Sequence, residues 1–133
     1  MQQSVPIVAT VDDDRRVRES LRAVLESAGY EATTFESAEA FLEPGAMGRV
    51  TCLIADVRLP GIDGLELQRR VRSERPRLPV IVMTAHDDDD VRERALLDGA
   101  VAFLVKPFDG GELLDHVGRA TGRELGQTRS GQK

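Results

Sequence analysis

Residues 52–61 read CLIADVRLPG, an apolar run followed by an aspartate and a turn. The first four of these residues are apolar without a break, which is typical of a strand buried on both faces of a parallel sheet. Pro60 and Gly61 favour a turn that carries the chain away from the end of this strand. The stretch therefore predicts a central strand over residues 52–55, with the carboxylate of Asp56 facing outward at its carboxyl end.

Short apolar runs and longer segments of helical period alternate along the whole chain. The clearest helix lies across residues 17–28, where apolar residues recur every three or four positions and Gly29 follows as a stop signal. The predicted strands are residues 7–11, 32–35, 52–55, 79–83 and 102–105. The other predicted helices are residues 37–42, 64–74, 88–98 and one that begins near residue 109. This alternation predicts an α/β fold in which a parallel sheet is flanked by helices.

The composition limits the classes of protein to which the chain can belong. Its 133 residues, 41% of them hydrophobic and 31% charged, indicate one globular domain. The net charge of -5 argues against direct binding of nucleic acid, which depends on cations that neutralise phosphates. The apolar runs are far shorter than the roughly 20 residues of a membrane helix, and residues 1–6 show no secretion signal. We therefore expect a cytoplasmic protein, and its single cysteine, Cys52, rules out an internal disulfide.

Acidic side chains follow two of the predicted strands. Asp12, Asp13 and Asp14 come directly after the first strand, and Asp56 ends the third. Ligands of an open parallel sheet bind outside the carboxyl ends of its strands. If these two strands are neighbours, the carboxylates lie close enough to repel one another unless a cation compensates. Mg²⁺ fits because it prefers oxygen ligands and keeps several waters, which leaves room for phosphate oxygens.

A hydroxyl group and an ammonium group complete the predicted site. Thr84 ends the fourth strand and Lys106 the fifth, so both reach the same edge of the sheet. Lysine supplies a compact positive charge suited to phosphate, and the threonine hydroxyl supplies a hydrogen-bond donor. These groups suit phosphoryl transfer, which depends mostly on positioning and electrostatic stabilisation. Asp56 is the predicted nucleophile, because the turn after it leaves its carboxylate facing outward.

Four short runs at the strand ends resemble, together and in order, the receiver domain of bacterial two-component response regulators. The runs are residues 11–13 (VDD), 54–64 (IADVRLPGIDG), 83–85 (MTA) and 103–108 (FLVKPF). Residues 37–42 (SAEAFL) are similar to the FixJ-like subgroup. The resemblance covers residues 5–120 and implies a (βα)5 doubly wound sheet of five parallel strands in the flavodoxin-like order 2-1-3-4-5. Residues 121–133 are interpreted as a flexible tail or linker.

The resemblance also implies a function and a set of site residues. A sensor histidine kinase would transfer a phosphoryl group to Asp56. Asp12 or Asp13 would hold Mg²⁺ together with Asp56 and the backbone carbonyl of Arg58. Lys106 would contact the phosphoryl group, and its bond to the following proline would be cis, an isomer that proline makes accessible. The domain would then be a regulatory phosphoacceptor that assists its own phosphorylation and dephosphorylation, rather than an enzyme.

In this family, phosphorylation changes the position of two switch residues. Thr84 would move toward the phosphate, and the aromatic ring of Phe103 would swing inward and reshape the surface of the fourth helix, fifth strand and fifth helix. An output domain or partner protein, or a second copy in a homodimer, would bind that surface. Phe103 lacks the hydroxyl group that tyrosine offers in many receivers, so burial favours its inward state. Four glycines are expected to loosen the fifth helix: Gly110, Gly111, Gly118 and Gly122.

Other interpretations of the same residues remain open at this point. A phosphatase of the haloacid dehalogenase type would use Asp12 and Asp14 with Thr84 and Lys106, but the acidic pair that such enzymes carry after the lysine is missing. The receiver could also be part of a DNA-binding regulator or hybrid kinase, or a receiver that works without phosphate. The aspartates of residues 87–90 are interpreted as caps and solvated charges at the start of the fourth helix.

Overall fold

The sheet has five strands, and all of them run parallel. The strands are β1 Ile7–Val11, β2 Glu31–Phe35, β3 Cys52–Asp56, β4 Val80–Thr84 and β5 Ala102–Val105. Their order in the sheet is β2-β1-β3-β4-β5. The computed structural model describes residues 5–123 of the chain. The predicted α/β class and strand order are confirmed, and β3 and β4 each extend to the polar residue that follows the apolar run.

Five helices connect the strands, and each begins after a side chain that caps it. The helices are α1 Arg15–Ser27, α2 Ala38–Phe41, α3 Gly64–Glu74, α4 Asp89–Leu97 and α5 Gly110–Thr121. The caps are Asp14, Ser37, Asp63, Asp88 and Asp109, and each accepts a hydrogen bond from a backbone N–H two or three residues later. Such caps satisfy N–H groups that the first helical turn leaves unpaired. The capping role predicted within residues 87–90 is confirmed at Asp88.

The sheet is buried on both faces, which explains the unbroken apolar runs in its central strands. Along β3, Leu53 packs in the cluster beneath α2, α3 and α4. The next residue, Ile54, packs in the cluster beneath α1 and α5. Successive side chains of a strand point to opposite faces, so each face takes alternate residues of the run. Cys52 belongs to the second cluster and is fully buried, and this burial raises the pKa of its thiol to about 12.

Of the four glycines expected to loosen α5, Gly122 lies at the end of the helix and not in its interior. Gly118 is buried within the helix, and Gly122 ends the helix with φ of 76°, a left-handed conformation that glycine adopts without strain. Beyond it, the guanidinium of Arg123 lies 4.6 Å from the centre of the Tyr30 ring. The predicted tail of residues 121–133 falls outside the described residues from position 124 onward. No helix within residues 5–123 is long and apolar enough to cross a membrane.

The turn into α3 brings two backbone segments into close contact, which yields a test of the fold. A Cβ atom on Gly64 would collide with the backbone of Asp56, whereas one on Gly110 would meet only the Val24 methyl groups at 3.8 Å. Both glycines are the first residue of a helix. We expect Gly64→Ala to lower the free energy of unfolding by about 3 kcal/mol because the backbone must shift. Gly110→Ala should be neutral or stabilise by up to about 1 kcal/mol.

Urea unfolding followed by circular dichroism would measure both variants. Equal stability of Gly64→Ala and the wild-type protein would contradict the close packing of the turn against β3.

Candidate functional site

Three carboxylates meet at the carboxyl ends of β1 and β3. The two strands are paired so that Val11 lies opposite Ala55, which places the next residues, Asp12 and Asp56, side by side. Asp12, Asp13 and Asp56 each offer one oxygen within 4.8 Å of the others. The side chains of Asp12 and Asp56 are buried, while Asp13 is exposed. The strand pairing on which the predicted acidic cluster depended is therefore present.

Lys106 reaches into this acidic cluster from the end of β5. Its ammonium nitrogen Nζ lies 2.8 Å from Oδ2 of Asp12 and 3.3 Å from Oδ1 of Asp56. The lysine was predicted to face a phosphoryl group, and its direct bond to Asp12 was not anticipated. The bond to Pro107 is cis, as the resemblance implied. The ammonium group thus lies where it can pair with either carboxylate or with a group bound between them.

The electrostatic environment of Asp56 opposes its ionised form. Burial raises the pKa of Asp56 to about 6, with a further contribution from the charge of Asp12, while Lys106 acts in the opposite direction. For Lys106, burial acts to lower the pKa, but its hydrogen bond and attraction to Asp12, together with Asp56, raise it overall. The lysine therefore stays charged, and the carboxylates still carry more negative charge than it can neutralise.

The donor set suits a small, hard cation. The cluster offers carboxylate oxygens alone, and Mg²⁺ prefers such ligands over nitrogen or sulfur. A divalent cation would also offset the burial and the repulsion by Asp12 that together raise the pKa of Asp56. The residues that are present therefore fit Mg²⁺ in both chemistry and charge.

Asp14 lies outside the acidic cluster. It is exposed, and its carboxylate accepts a hydrogen bond of 2.8 Å from the backbone N–H of Arg16, as the cap of α1. Its own N–H donates to Oδ1 of Asp12 at 2.9 Å, which helps to orient that carboxylate. The guanidinium of Arg18 donates to the backbone carbonyl of Asp12 at 2.8 Å, a contact that the sequence did not indicate. The turn after β1 is thus held by several hydrogen bonds.

Thr84 ends β4 beside the acidic cluster and is buried. Its hydroxyl oxygen accepts a hydrogen bond of 3.2 Å from the backbone N–H of His86. Its carbonyl accepts from the N–H of Lys106 at 2.7 Å, so the ends of β4 and β5 are joined. The threonine therefore lies at the predicted edge of the sheet, with its hydroxyl engaged by the start of the following loop.

Residues 57–63 form the loop between β3 and α3. The N–H of Gly64 donates to the carbonyl of Val57 at 2.9 Å and closes this loop, while Leu59 is buried beneath it. Arg58, two residues after Asp56, is exposed on the loop. Its backbone carbonyl remains a predicted metal ligand.

Phe103 lies on β5, half-buried against the cluster beneath α2, α3 and α4. The guanidinium carbon of Arg92, from α4, lies 4.7 Å from the centre of the ring. Arg92 is held in turn by a hydrogen bond of 2.9 Å to Asp87. The sequence had suggested only capping and solvation for this charged segment. Asp87 lies before α4 and five positions from Arg92, which is not the spacing of a helical ion pair, so no sequence pattern pointed to these contacts.

Comparison with known proteins places the chain in a family. The sequence profile of the response regulator receiver domain matches residues 8–118. The chain belongs to this receiver family. It is also 43% identical over 129 residues to the transcriptional regulatory protein FixJ of Azorhizobium caulinodans, a match that covers 97% of this chain and 61% of that protein. The receiver is the phosphoacceptor module of two-component systems, and such domains bind Mg²⁺ in an acidic site.

Other similar proteins include a longer regulator, matched by sequence, and a solved structure with the same fold. The DNA-binding transcriptional regulator NtrC of Escherichia coli K12 is 44% identical over 114 residues, which are 86% of this chain and 24% of that protein. The solved structure of the chemotaxis protein CheY4 of Vibrio cholerae has a TM-score of 0.80 at 28% identity, covering 88% of this chain and 99% of that one. These comparisons do not support the phosphatase alternative with Asp12 and Asp14, and Asp14 lies outside the acidic cluster.

The raised pKa of Asp56 leads to a prediction for the metal-free receiver. The pKa of Asp56 is about 6 in the folded protein, against an ordinary value of 3.8, which we take for the unfolded chain. The ionised carboxylate therefore lowers the stability of the folded protein above pH 6 and has no effect below about pH 4. Asp56→Asn removes this charge. We expect the variant to be more stable than the wild-type receiver by about 2 kcal/mol at pH 7.5. The difference should disappear as the pH falls from 6 to 4.

Urea unfolding in the presence of a chelator, across pH 4 to 8, would measure this difference. A wild-type receiver that is more stable than Asp56→Asn at pH 7.5 would contradict the prediction.

Proposed function

We propose that this receiver accepts a phosphoryl group on Asp56 from a sensor histidine kinase, and that phosphorylation switches the binding of a partner. Mg²⁺ would be held by Asp12, Asp13, Asp56 and the backbone carbonyl of Arg58. The observation that carries the proposal is the convergence of the acidic cluster with the ammonium group of Lys106 at one edge of the sheet.

The geometry suits Asp56 as the nucleophile. Asp56 ends a central strand, and its carboxylate lies 3.3 Å from Lys106, which favours the ionised form needed for attack. One of its oxygens attacks phosphorus while the bond from phosphorus to the kinase histidine breaks, and that nitrogen keeps the electron pair. When bound, Mg²⁺ supplies neutralisation of the charge on the transferred group. Lys106 supplies a second positive charge and stays near the product phosphate.

Thr84 and Phe103 are the proposed switch residues. The hydroxyl of Thr84 would donate to a phosphoryl oxygen and leave its hydrogen bond with the N–H of His86. Because Thr84 is buried, its movement leaves space that an inward rotation of the Phe103 ring can fill. This change would alter the surface formed by α4, β5 and α5, where an output partner or a second copy of the chain would bind.

The proposal extends to the organisation of the protein. We assign the receiver unit to residues 5–120 and a linker or tail to residues 121–133. The role is regulatory: the receiver assists its own phosphorylation and dephosphorylation and turns over no separate substrate. A cytoplasmic location follows from partnership with a kinase, and the net charge of -5 argues that this chain does not itself bind nucleic acid. Phosphorylation by the kinase then changes the binding of an output domain or a partner protein.

Phosphorylation by acetyl phosphate would test the acceptor. Intact-mass spectrometry after incubation with acetyl phosphate and Mg²⁺ should show one added phosphoryl group on the wild-type receiver. No adduct should form without Mg²⁺ or on Asp56→Ala, because the metal or the nucleophile is then missing.

Asp14→Asn is the matched control, since it removes a nearby exposed carboxylate that caps α1 and leaves the acidic cluster intact. It should be phosphorylated like the wild-type receiver. An adduct on Asp56→Ala would overturn the assignment of the nucleophile.

Arg92 provides a way to test the switch. A cation over an aromatic ring is attracted to it by about 0.5–1 kcal/mol at an exposed site, and Asp87 keeps the guanidinium in place. Because Phe103 has no hydroxyl group that could form a hydrogen bond, this stacking stabilises the ring in the position observed here. Removal of the guanidinium should therefore make the inward state easier to reach.

We expect Arg92→Gln to bind the phosphoryl mimic beryllium fluoride about two- to fivefold more tightly than the wild-type receiver. The mimic favours the inward position of the Phe103 ring, and the stacked guanidinium favours the position observed here, so loss of the stacking strengthens binding of the mimic. Titration monitored by nuclear magnetic resonance would measure the affinity. Arg94→Gln, which removes an exposed arginine from the same helix, should leave it unchanged. Equal affinities for Arg92→Gln and the wild-type receiver would exclude a role for the stacked guanidinium in the switch.

A further inference from the structure

The loop between β3 and α3 is fastened to α2 by one carboxylate. The backbone N–H of Ile62 donates a hydrogen bond of 2.9 Å to Oε2 of Glu39. Glu39 lies in the first turn of α2, and the start of that helix is fixed by Ser37, whose hydroxyl oxygen accepts from the N–H of Ala40 at 3.1 Å. A short helix thus presents a fixed acceptor to the outer part of the loop.

The loop has other anchors near its two ends. The N–H of Gly64 bonds to the carbonyl of Val57, and the side chain of Leu59 is buried. Asp63 caps α3 through a bond of 2.9 Å from the N–H of Glu66. Between Leu59 and Asp63 the chain is largely exposed, and two contacts connect this part of the loop to the body of the domain: the bond to Glu39, and the side chain of Ile62, which packs against the cluster beneath α2, α3 and α4.

Gly61 indicates that the carboxylate fits closely against the loop. Its φ is 76°, a left-handed conformation, and a Cβ atom on it would collide with the carboxylate of Glu39. The backbone hydrogen bond from Ile62 is the main cause that lowers the pKa of Glu39. The group is therefore ionised at neutral pH, and a bond from an N–H to an ionised carboxylate is stronger than one between neutral groups.

We propose that Glu39 is a positioning residue for the metal site, which holds the loop so that the backbone carbonyl of Arg58 is directed toward the carboxylate of Asp56. This inference rests on the metal site given above as the proposed function. A backbone carbonyl has no side-chain torsion of its own, so the conformation of the loop alone sets its direction. A loop that leaves this conformation part of the time has a proportionally weaker apparent affinity for the ion.

Direct binding of Mn²⁺, used in place of Mg²⁺ and followed by electron paramagnetic resonance of the free ion, tests the role of Glu39. Glu39→Ala removes the acceptor and should raise the dissociation constant about tenfold, as loss of a group that orients a metal ligand typically does. Glu39→Gln keeps an amide oxygen that accepts from Ile62, so its dissociation constant should rise only about threefold. Competition with Mg²⁺ should give the same order of variants.

Glu43→Ala is the matched control. It removes an equal charge from an exposed position four residues further along the chain, and it should bind Mn²⁺ like the wild-type receiver. Equal weakening by Glu39→Ala and Glu43→Ala would show an effect of charge alone and overturn the proposal. Urea unfolding without metal, measured in parallel, separates a loss of stability from a loss of affinity. A less stable Glu39→Ala that keeps its affinity for Mn²⁺ would also overturn the proposal.

Asp13→Asn distinguishes failure of the inference from failure of the metal site. If Asp13→Asn loses Mn²⁺ binding while Glu39→Ala binds like the wild-type receiver, the metal site stands and only the role of Glu39 is wrong. If the wild-type receiver and Asp13→Asn bind Mn²⁺ equally, the proposed metal site falls and the role of Glu39 falls with it. Should Glu39→Ala fail to fold, the affinity of Glu39→Gln decides the question.

Discussion

The burial of Asp56 beside the carboxylate of Asp12 is the constraint on which the rest of the site depends. Asp12 and Asp56 are buried side by side at the ends of adjacent strands, and burial alone disfavours the charge on Asp56. Such an arrangement lowers stability unless positive charge reaches it. Lys106 supplies part of that charge from the end of β5, and a divalent cation would supply the remainder.

The parallel sheet makes this arrangement possible. Each site residue follows a strand whose register is set by backbone hydrogen bonds and by side chains packed on both faces. The carboxyl ends of β1, β3, β4 and β5 therefore bring together groups that are far apart in the sequence, with Asp12 and Lys106 separated by 94 positions. A rigid frame of this kind keeps reacting groups in place without reorganisation during the reaction.

The sequence predicted the strands, which are marked by apolar runs, and the site residues that directly follow them. Apolar runs located the strands, and Asp56 and Thr84 were found because they stand where those runs stop. The ends of β3 and β4 were each misplaced by one residue, since backbone pairing continues to a polar residue that hydrophobicity does not mark. Gly122 was placed inside the fifth helix, whereas it caps the end of that helix. A glycine in the sequence does not by itself show which of these two positions it occupies. The strand order came from the resemblance to a family.

Contacts between side chains that are distant in sequence were not predictable in this way. The hydrogen bonds from the loop after β3 to Glu39 and from Lys106 to Asp12 depend on how helices and loops pack on the sheet. The stacking of Arg92 on Phe103 likewise has no periodic signal.

The burial of Cys52 has a further consequence. Its thiol is fully enclosed and its pKa is raised to about 12, so it carries almost no thiolate, the form that reacts with oxidants and alkylating reagents. Cys52 is therefore protected from oxidation by its burial, and it is the only cysteine of the chain. A single cysteine introduced on the surface would therefore react alone, which makes the native chain ready for site-specific spectroscopic labelling.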